Sequence, residues 1–269
     1  MLNKKGFEAS LSWLFAVIAG IVILLFFVYF SIQHTDLFGK LTAQRAAEEL
    51  DITFTGIKST LSLTTLEFGK KIDLKFTCNN EIGEKVYINN KGGKTLKGNI
   101  VFAPDGNSDS FNVWTLDWNA PFKITNFIFL NSGEKYDFPT GIYSKVPEEF
   151  RDGIIGLSNI GFDPDLKEHY GTLQVNGEHY ELVGDAILIA SIFSEPEEFE
   201  CLKNLAVQRA EYLGEIYAQK YDSIQCPTVN EKSDIMYILK NFNPESVEDI
   251  RKINEENDLL LRNGCEGIY

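Results

Sequence analysis

The chain has 269 residues, 44% of them hydrophobic and 13% aromatic, and its 39 acidic against 25 basic side chains give a formal net charge of −14. That is too apolar for a disordered stalk. So acidic a surface repels nucleic-acid phosphates and anionic lipid headgroups, which argues against both and against nucleic acid as a partner altogether.

Residues 11–32 read LSWLFAVIAGIVILLFFVYFSI, without one Asp, Glu, Lys or Arg. As a helix rising ~1.5 Å per residue the run reaches ~33 Å, close to the ~30 Å of a bilayer core. A continuous helix also satisfies its own backbone in hydrocarbon. The apolar region of a secretory signal is shorter, ~7–15 residues, and ends in small residues. Here Phe26, Phe27, Tyr29 and Phe30 stand at its end. The expectation is a retained transmembrane helix with the lipid bilayer around residues 11–32. Lys4 and Lys5 before it favour a cytoplasmic N-terminus, while Lys40 and Arg45 beyond it weigh the other way. The expected placement is the cell membrane, single-pass, with the C-terminal domain outside the cytoplasm.

The N-terminal Lys4-Lys5-Gly6-Phe7 running into an apolar helix resembles the class III signal of type IV pilins and archaeal pilin-like proteins. The resemblance implies cleavage between Gly6 and Phe7, with the apolar helix kept on the mature protein as anchor and, in true pilins, as filament core. Leu11 stands at the fifth mature position, where bacterial pilins carry Glu, and Glu8 at the second. The chain also resembles uncharacterised membrane-anchored archaeal proteins, which brings no function with it.

Beyond the apolar run, Leu37, Leu41, Ala46, Ala47 and Leu50 recur at near-helical spacing, and the Thr- and Ser-rich stretch 51–66 reads as an extended connector. From Lys70 the period becomes strand-like. Ile72, Leu74 and Phe76 alternate with polar residues, Asn89-Asn90-Lys91-Gly92-Gly93 marks a turn, and residues 123–130 (KITNFIFL) read as a buried strand. A short helix is expected at 148–151 after Pro147. The segments 172–175 and 179–183, joined by Asn176-Gly177, carry the strongest hairpin signal. Residues 186–193 (AILIASIF) read as a central strand. The last quarter reads as helical: Ser194 with Glu197 fits a capping box, with an apolar face through Phe199, Leu202, Leu205, Ala206 and Leu213. Shorter helices follow around Ile235 and after Pro244.

Four cysteines, Cys78, Cys201, Cys226 and Cys265, all follow the apolar run. An even count in an exported domain predicts two disulfides. Three pairings are open; Cys201–Cys226 with Cys78–Cys265 is preferred, since the first two bracket one helix. No CxxC spacing and no Asn-x-Ser/Thr sequon occurs.

Candidate chemistry is sparse. Asp105-Gly106-Asn107-Ser108-Asp109 begins like a calcium loop, but Ser110 and Leu116 stand where Gly and Glu are required. Asp163, Asp165, Glu168 and His169 cluster, with His179 across a turn, and could meet in a metal or proton-transfer pocket. Phe111, Trp114, Trp118, Phe122, Phe127 and Phe129 read as core, with Trp118 before Asn119-Ala120-Pro121 the best candidate for an exposed aromatic. There is no GxSxG, GxGxxG or GxxxxGK motif.

The expected fold is therefore α+β: an N-terminal tail and transmembrane helix over 1–33, a juxtamembrane helix and connector over 34–66, a strand-rich region of mixed or antiparallel sheet over 67–194, and a helical C-terminal region over 195–269 packed on the sheet. The expected function is a structural or interaction role outside the cytoplasm, pilin-like in its signal, without enzymatic activity, metal or cofactor. The partner would be an envelope protein or a weak homo-oligomer. An anchored solute- or partner-binding receptor and an anchored hydrolase with a dispersed site are the alternatives.

Overall fold

The computed structural model describes residues 4–58, 63–155, 160–164, 166, 168–175, 178–226 and 232–269; side chains at 4–16, 31–39, 155, 173–175 and 178–180 lie outside that description. The element order is α1 (Lys4–Lys58), β1 (Thr64–Asn79), β2 (Gly83–Ile88), β3 (Lys91–Thr95), β4 (Ile100–Phe102), β5 (Gly106–Asn119), β6 (Lys123–Asn131) and β7 (Tyr136–Pro139). There follow α2 (Thr140–Tyr143), β8 (Arg151–Ile155), β9 (Ile160–Asp163), β10 (Glu168–Val175), β11 (Glu178–Val183), α3 (Asp185–Phe193), α4 (Pro196–Ser223), α5 (Ser233–Lys240) and α6 (Val247–Arg262).

Six strands form one sheet in the order β3-β2-β1-β5-β6-β4. Its pairs are antiparallel except β4 with β6. Both faces are covered, and strand alternation assigns each residue to a side. On one face Ile128, Leu130, Val101, Phe111 and Val113 meet Ala43, Ala47, Leu50 and Phe54 of α1. On the other, Phe127, Phe129, Phe102 and Trp114 join a larger core with Ile187, Phe193, Phe199, Leu202 and Ala206 of α3 and α4. The KITNFIFL strand is apolar at nearly every position because each face has its own core. The result is three layers: α1, sheet, C-terminal helices.

The class is thus α+β, with the C-terminal helices packed on a mixed sheet, but the transmembrane helix expected at its start is corrected. Among the described residues no helix is long and apolar enough to cross a membrane. The apolar stretch with described side chains, 17–30, amounts to ~21 Å of helix, against a bilayer core of ~30 Å. The remainder of the expected run, 11–16 and 31–32, has its side chains outside the described residues. The backbone forms one helix of 55 residues from Lys4 to Lys58. Its first half projects as an arm and its last third is the outer layer of the domain.

Three other expectations change. The connector at 51–66 is helical as far as Lys58. Thr53 and Thr55 turn their hydroxyls back to the Glu49 and Asp51 carbonyls at 2.7 and 2.9 Å, and Phe54, fully buried, holds this turn on the sheet. Residues 186–193 form helix α3 instead of a strand. A short, wholly apolar run has no period to distinguish the two, and α3 is buried all round, at Ala186, Ile187, Leu188, Ile189, Ala190 and Phe193. Residues 148–150 form a turn leading into β8, and the short helix lies earlier, at α2. The hairpin strands β10 and β11 pair with Gln174 opposite His179; Asn176-Gly177 lies outside the described residues. At 89–90 the expected turn is present: Asn89 and Asn90 have φ of 52° and 57°, between Ile88 and its partner Lys91, the geometry of a tight two-residue hairpin.

Both disulfides exist, but with a different pairing: Cys78–Cys201 and Cys226–Cys265. The expected Cys201–Cys226 bridge is ruled out by α4 itself. Cys201 lies near the start of this 28-residue helix and Cys226 just beyond its end. They stand ~35 Å apart along the axis, where a bridge needs about 4.4–6.8 Å between Cα atoms. The observed Cα separations are 5.9 and 5.8 Å.

Candidate functional site

Three places combine accessibility with unusual chemistry. The first is the arm. Side chains from Val17 to Phe30 are exposed all round the helix, from 39% at Val17 to 67% at Tyr29. A helix apolar on every side is normally buried in something. Gly6 and Phe7, the expected processing site, lie on the same helix, with side chains outside the described residues.

The second is the cluster expected from Asp163, Asp165, Glu168, His169 and His179. Its described members, Asp163, Glu168 and His169, do not all meet in one pocket. Asp163 turns away to Arg251 of α6, at 2.9 Å, and its Oδ1 accepts from the Leu166 backbone N–H. Asp165 and the His179 side chain lie outside the described residues. The third and fourth members do meet a partner the sequence reading missed, Asp185 at the start of α3. His169 Nδ1 lies 2.6 Å from Asp185 Oδ1, and Lys145 reaches the other Asp185 oxygen at 3.5 Å. Asp185 is placed by Gly184, whose φ of 104° lets the chain turn from β11 into α3. The Nε2 edge of His169 packs against Gly141, where a Cβ would stand 3.4 Å away. Burial and the Asp185 charge push the Glu168 carboxyl up to about 7, opposed by Lys145, the Asp185 N–H and His169. An aspartate holding a histidine this way can fix a tautomer or stabilise an imidazolium.

The third is a cleft of about 800 Å³ where the end of β1, the Pro104-Asp105 loop and the start of α4 come together. Phe76, Tyr136 and Phe193 line it, with Asp105, Glu134, Glu195 and Glu198 around them. Asp105, which opens the stretch that begins like a calcium loop without completing one, accepts from the Phe76 N–H at 3.3 Å and pairs with Lys75 at 3.5 Å. Gly106 onward is strand β5, so successive polar side chains point to opposite faces. Among the described residues no group of three or more His, Cys, Asp or Glu could hold a metal ion. Burial, then Asp105 and Glu195, push Glu198 up to about 7, with Lys75 pulling it down. Burial and Glu134 push the Tyr136 phenol up to about 12.

Opposite Cys78, on β2, sits a group that sequence reasoning passed over. Glu84 is 1% exposed; its Oε2 accepts from the Val101 N–H at 2.8 Å, and its Oε1 has no hydrogen-bond partner among the described residues. Burial holds its carboxyl well above the ordinary range, and Glu198 adds to that. A signal was there: in Gly83–Ile88 the buried positions are Glu84, Val86 and Ile88, so this acid sits in phase with the apolar side of its strand.

Glu84, Glu168 and Glu198 all bind protons more tightly in the folded chain than at their ordinary 4.5. Above about pH 4.5 the unfolded chain has lost protons that the fold retains, so stability is full below that point and falls as pH rises towards 7. The urea midpoint is expected to be lower at pH 7.5 than at pH 5. Glu84→Gln keeps an acceptor for Val101 and should raise the midpoint at pH 7.5 while leaving it unchanged at pH 4. A wild-type midpoint that rises from pH 5 to 7.5, with no effect of Glu84→Gln, would contradict this.

The expected exposed aromatic is corrected. Trp118 is 1% exposed, donates its Nε1–H to the Val183 carbonyl at 2.8 Å and stacks on Phe127 with ring centroids 5.4 Å apart. Phe111, Trp114, Phe122, Phe127 and Phe129 are buried too, so this run is core. Compared with known proteins, the chain matches no protein-family model, no curated protein and no solved structure.

Proposed function

We propose that this chain is a structural or interaction protein of the cell envelope, pilin-like in layout, whose apolar arm lodges in lipid and holds a disulfide-stapled domain outside the cytoplasm. The observation that carries this reading is the division of α1. Its C-terminal part is sealed into a core through Ala43, Ala47, Leu50 and Phe54, while its residues 17–30 expose bulky apolar side chains on every side. Burying a Leu, Ile, Val or Phe is worth about 1.5–3 kcal/mol per side chain, so such an arm does not stay in water. Two disulfides with no free cysteine among the described residues suit an oxidising compartment. The buried aromatic run favours a structural domain over a receptor groove.

Small residues favour close helix contacts in lipid. Here the described part of the arm offers only Ala19 and Gly20 as small residues, and Leu24, Leu25, Phe26, Phe27 and Phe30 are bulky, which supports a monomer or small oligomer and not a filament. Cell fractionation tests the reading. The full chain is expected in the carbonate-resistant membrane fraction, with its lysines labelled by an impermeant reagent on intact cells. A variant lacking residues 1–32 is expected in the soluble fraction with both bridges intact. Full-length chain in the cytosol with four free thiols, or in filaments sheared from cells, would overturn it.

A further inference from the structure

Glu84 holds both ends of the segment that joins β3 to β4. Its backbone carbonyl accepts from the Leu96 N–H at 2.8 Å, and its side-chain Oε2 accepts from the Val101 N–H at 2.8 Å. β4 is an edge strand, paired with β6 alone, so this carboxyl stands where a neighbouring strand would otherwise take the Val101 N–H. Between the two ties the chain bends at Lys97 and Gly98, with Gly98 at a φ of 71°. The Gly98 carbonyl accepts from Lys58 Nζ, at the end of α1, at 2.7 Å.

A cleft of about 380 Å³ lies between this bend, the start of β2 and the middle of α4. Leu96, Ile100 and Leu205 give it aliphatic walls, and the exposed Lys97 and Arg209 stand at its rim. Glu84 lines it as well, and at 1% exposure it forms the closed inner end. Burial keeps a proton on its carboxyl. Since Oε2 accepts from Val101, that proton sits on Oε1, and a protonated carboxyl is a donor there. Oε1 has no partner among the described residues. A buried donor without an acceptor is rare in a folded protein, and this one borders an open cleft.

The charge at the rim has the matching sign. Among the described residues no ion pair joins Lys97 or Arg209 to a carboxylate. Burial, then Arg209 and Lys123, push Lys58 down to about 8, with no acid opposing them. Glu81, the other acid of the lining among the described residues, is exposed to solvent. A carboxylate suits every part of this arrangement. Its oxygens accept charge-assisted hydrogen bonds from a guanidinium, an ammonium and the Glu84 O–H, and a short aliphatic body covers the walls. Phosphate or sulfate would match the cations but leave those walls in water. The volume falls at the small end of ligand pockets, which run to about 300–1,000 Å³. We propose that this cleft binds a small aliphatic monocarboxylate, held by Arg209 and Lys97 at the rim and by Glu84 at the inner end. The proposal is independent of where the arm lodges.

The test is calorimetric titration of isovalerate into the full chain in neutral phosphatidylcholine vesicles. Saturable binding in the millimolar range is expected, and the uncharged isovaleramide should bind about tenfold more weakly, as loss of charged hydrogen bonds dictates. Arg209→Ala, at an exposed position on α4, should weaken isovalerate by about tenfold for the same reason. The two variants at the inner end separate a donor from a packing role. Glu84→Gln puts an amide N–H where the O–H was, still accepts from Val101, and should keep the affinity. Glu84→Met offers no donor and should lose it; should that variant fail to fold, Arg209→Ala and isovaleramide give the result. No saturable binding of isovalerate, equal binding of isovaleramide or of inorganic phosphate, or unchanged affinity in Arg209→Ala would overturn the proposal.

Discussion

Replacing Cys78 and Cys201 together by alanine is expected to lower stability by about 3–5 kcal/mol, because the bridge closes a loop far longer than most. The two cysteines are 123 residues apart, and in the chain-entropy account a loop of about 100 residues gains about 4.7 kcal/mol from cross-linking. For a domain of this size each kcal/mol moves Tm by about 2–4 °C, so the fall should be about 6–20 °C. Cys226–Cys265 spans 39 residues, and the same account gives it about 1 kcal/mol less. The bridges also differ in what they join. Cys78 at the end of β1 and Cys201 in the first turns of α4 tie the sheet to the C-terminal layer, while the second bridge ties the chain just after α4 to the residues after α6. Thermal unfolding of both double variants, with and without reductant, checks the ranking. A fall below 2 °C for the first pair would refute it.

Trp118→Ala should cost about 3–5 kcal/mol, the range for deleting a buried large aromatic, and Trp118→Phe only about 1–2 kcal/mol. The difference comes from what each variant removes. Both leave the Val183 carbonyl without its indole donor, which on its own costs about 1–3 kcal/mol when the orphan is buried. The alanine variant also empties the space against Phe127 and Gly184, where a Cβ on Gly184 would touch the indole Cδ1 at 3.0 Å. Trp118 lies on the six-stranded sheet and Val183 on the separate three-stranded one. Loss of this contact should therefore loosen the β9–β11 sheet before the rest. Hydrogen exchange on the alanine variant should show faster exchange at 168–172 than in β5 and β6, and equal acceleration everywhere would contradict that order.

What was legible in the sequence was periodicity. The alternation in β1, the Asn-Asn turn before Lys91, the apolar β6 and the stripes of α4 and α6 could all be read before any coordinates, since each rests on local pattern. Runs without a period could not be read: AILIASIF is equally apolar as strand or helix, and only its packing between β11 and α4 makes it helical. The Thr-rich 51–58 stretch was misjudged because intrinsic preference is weak against one buried Phe54 and hydroxyls satisfied inside the helix. In the candidate site, His169 and Glu168 could be named but their partner Asp185 could not, since it stands 16 residues away across β11. Glu84 could have been found by asking which charge occupies the apolar phase of a strand. The disulfide pairing needed one further step, the length of α4, which alone excludes the bridge between its two ends.

The unbroken course of α1 has a mechanical consequence. Tension applied to the arm passes along one rigid rod, with no linker to absorb it, and arrives at the seam formed by Ala43, Ala47, Leu50 and Phe54. That seam belongs to the smaller of the two cores. The larger core lies mostly within the loop closed by Cys78–Cys201, which cannot lengthen while the bridge is intact. Under load α1 would shear off the sheet first, and most of the chain between the two cysteines would stay folded as a stop.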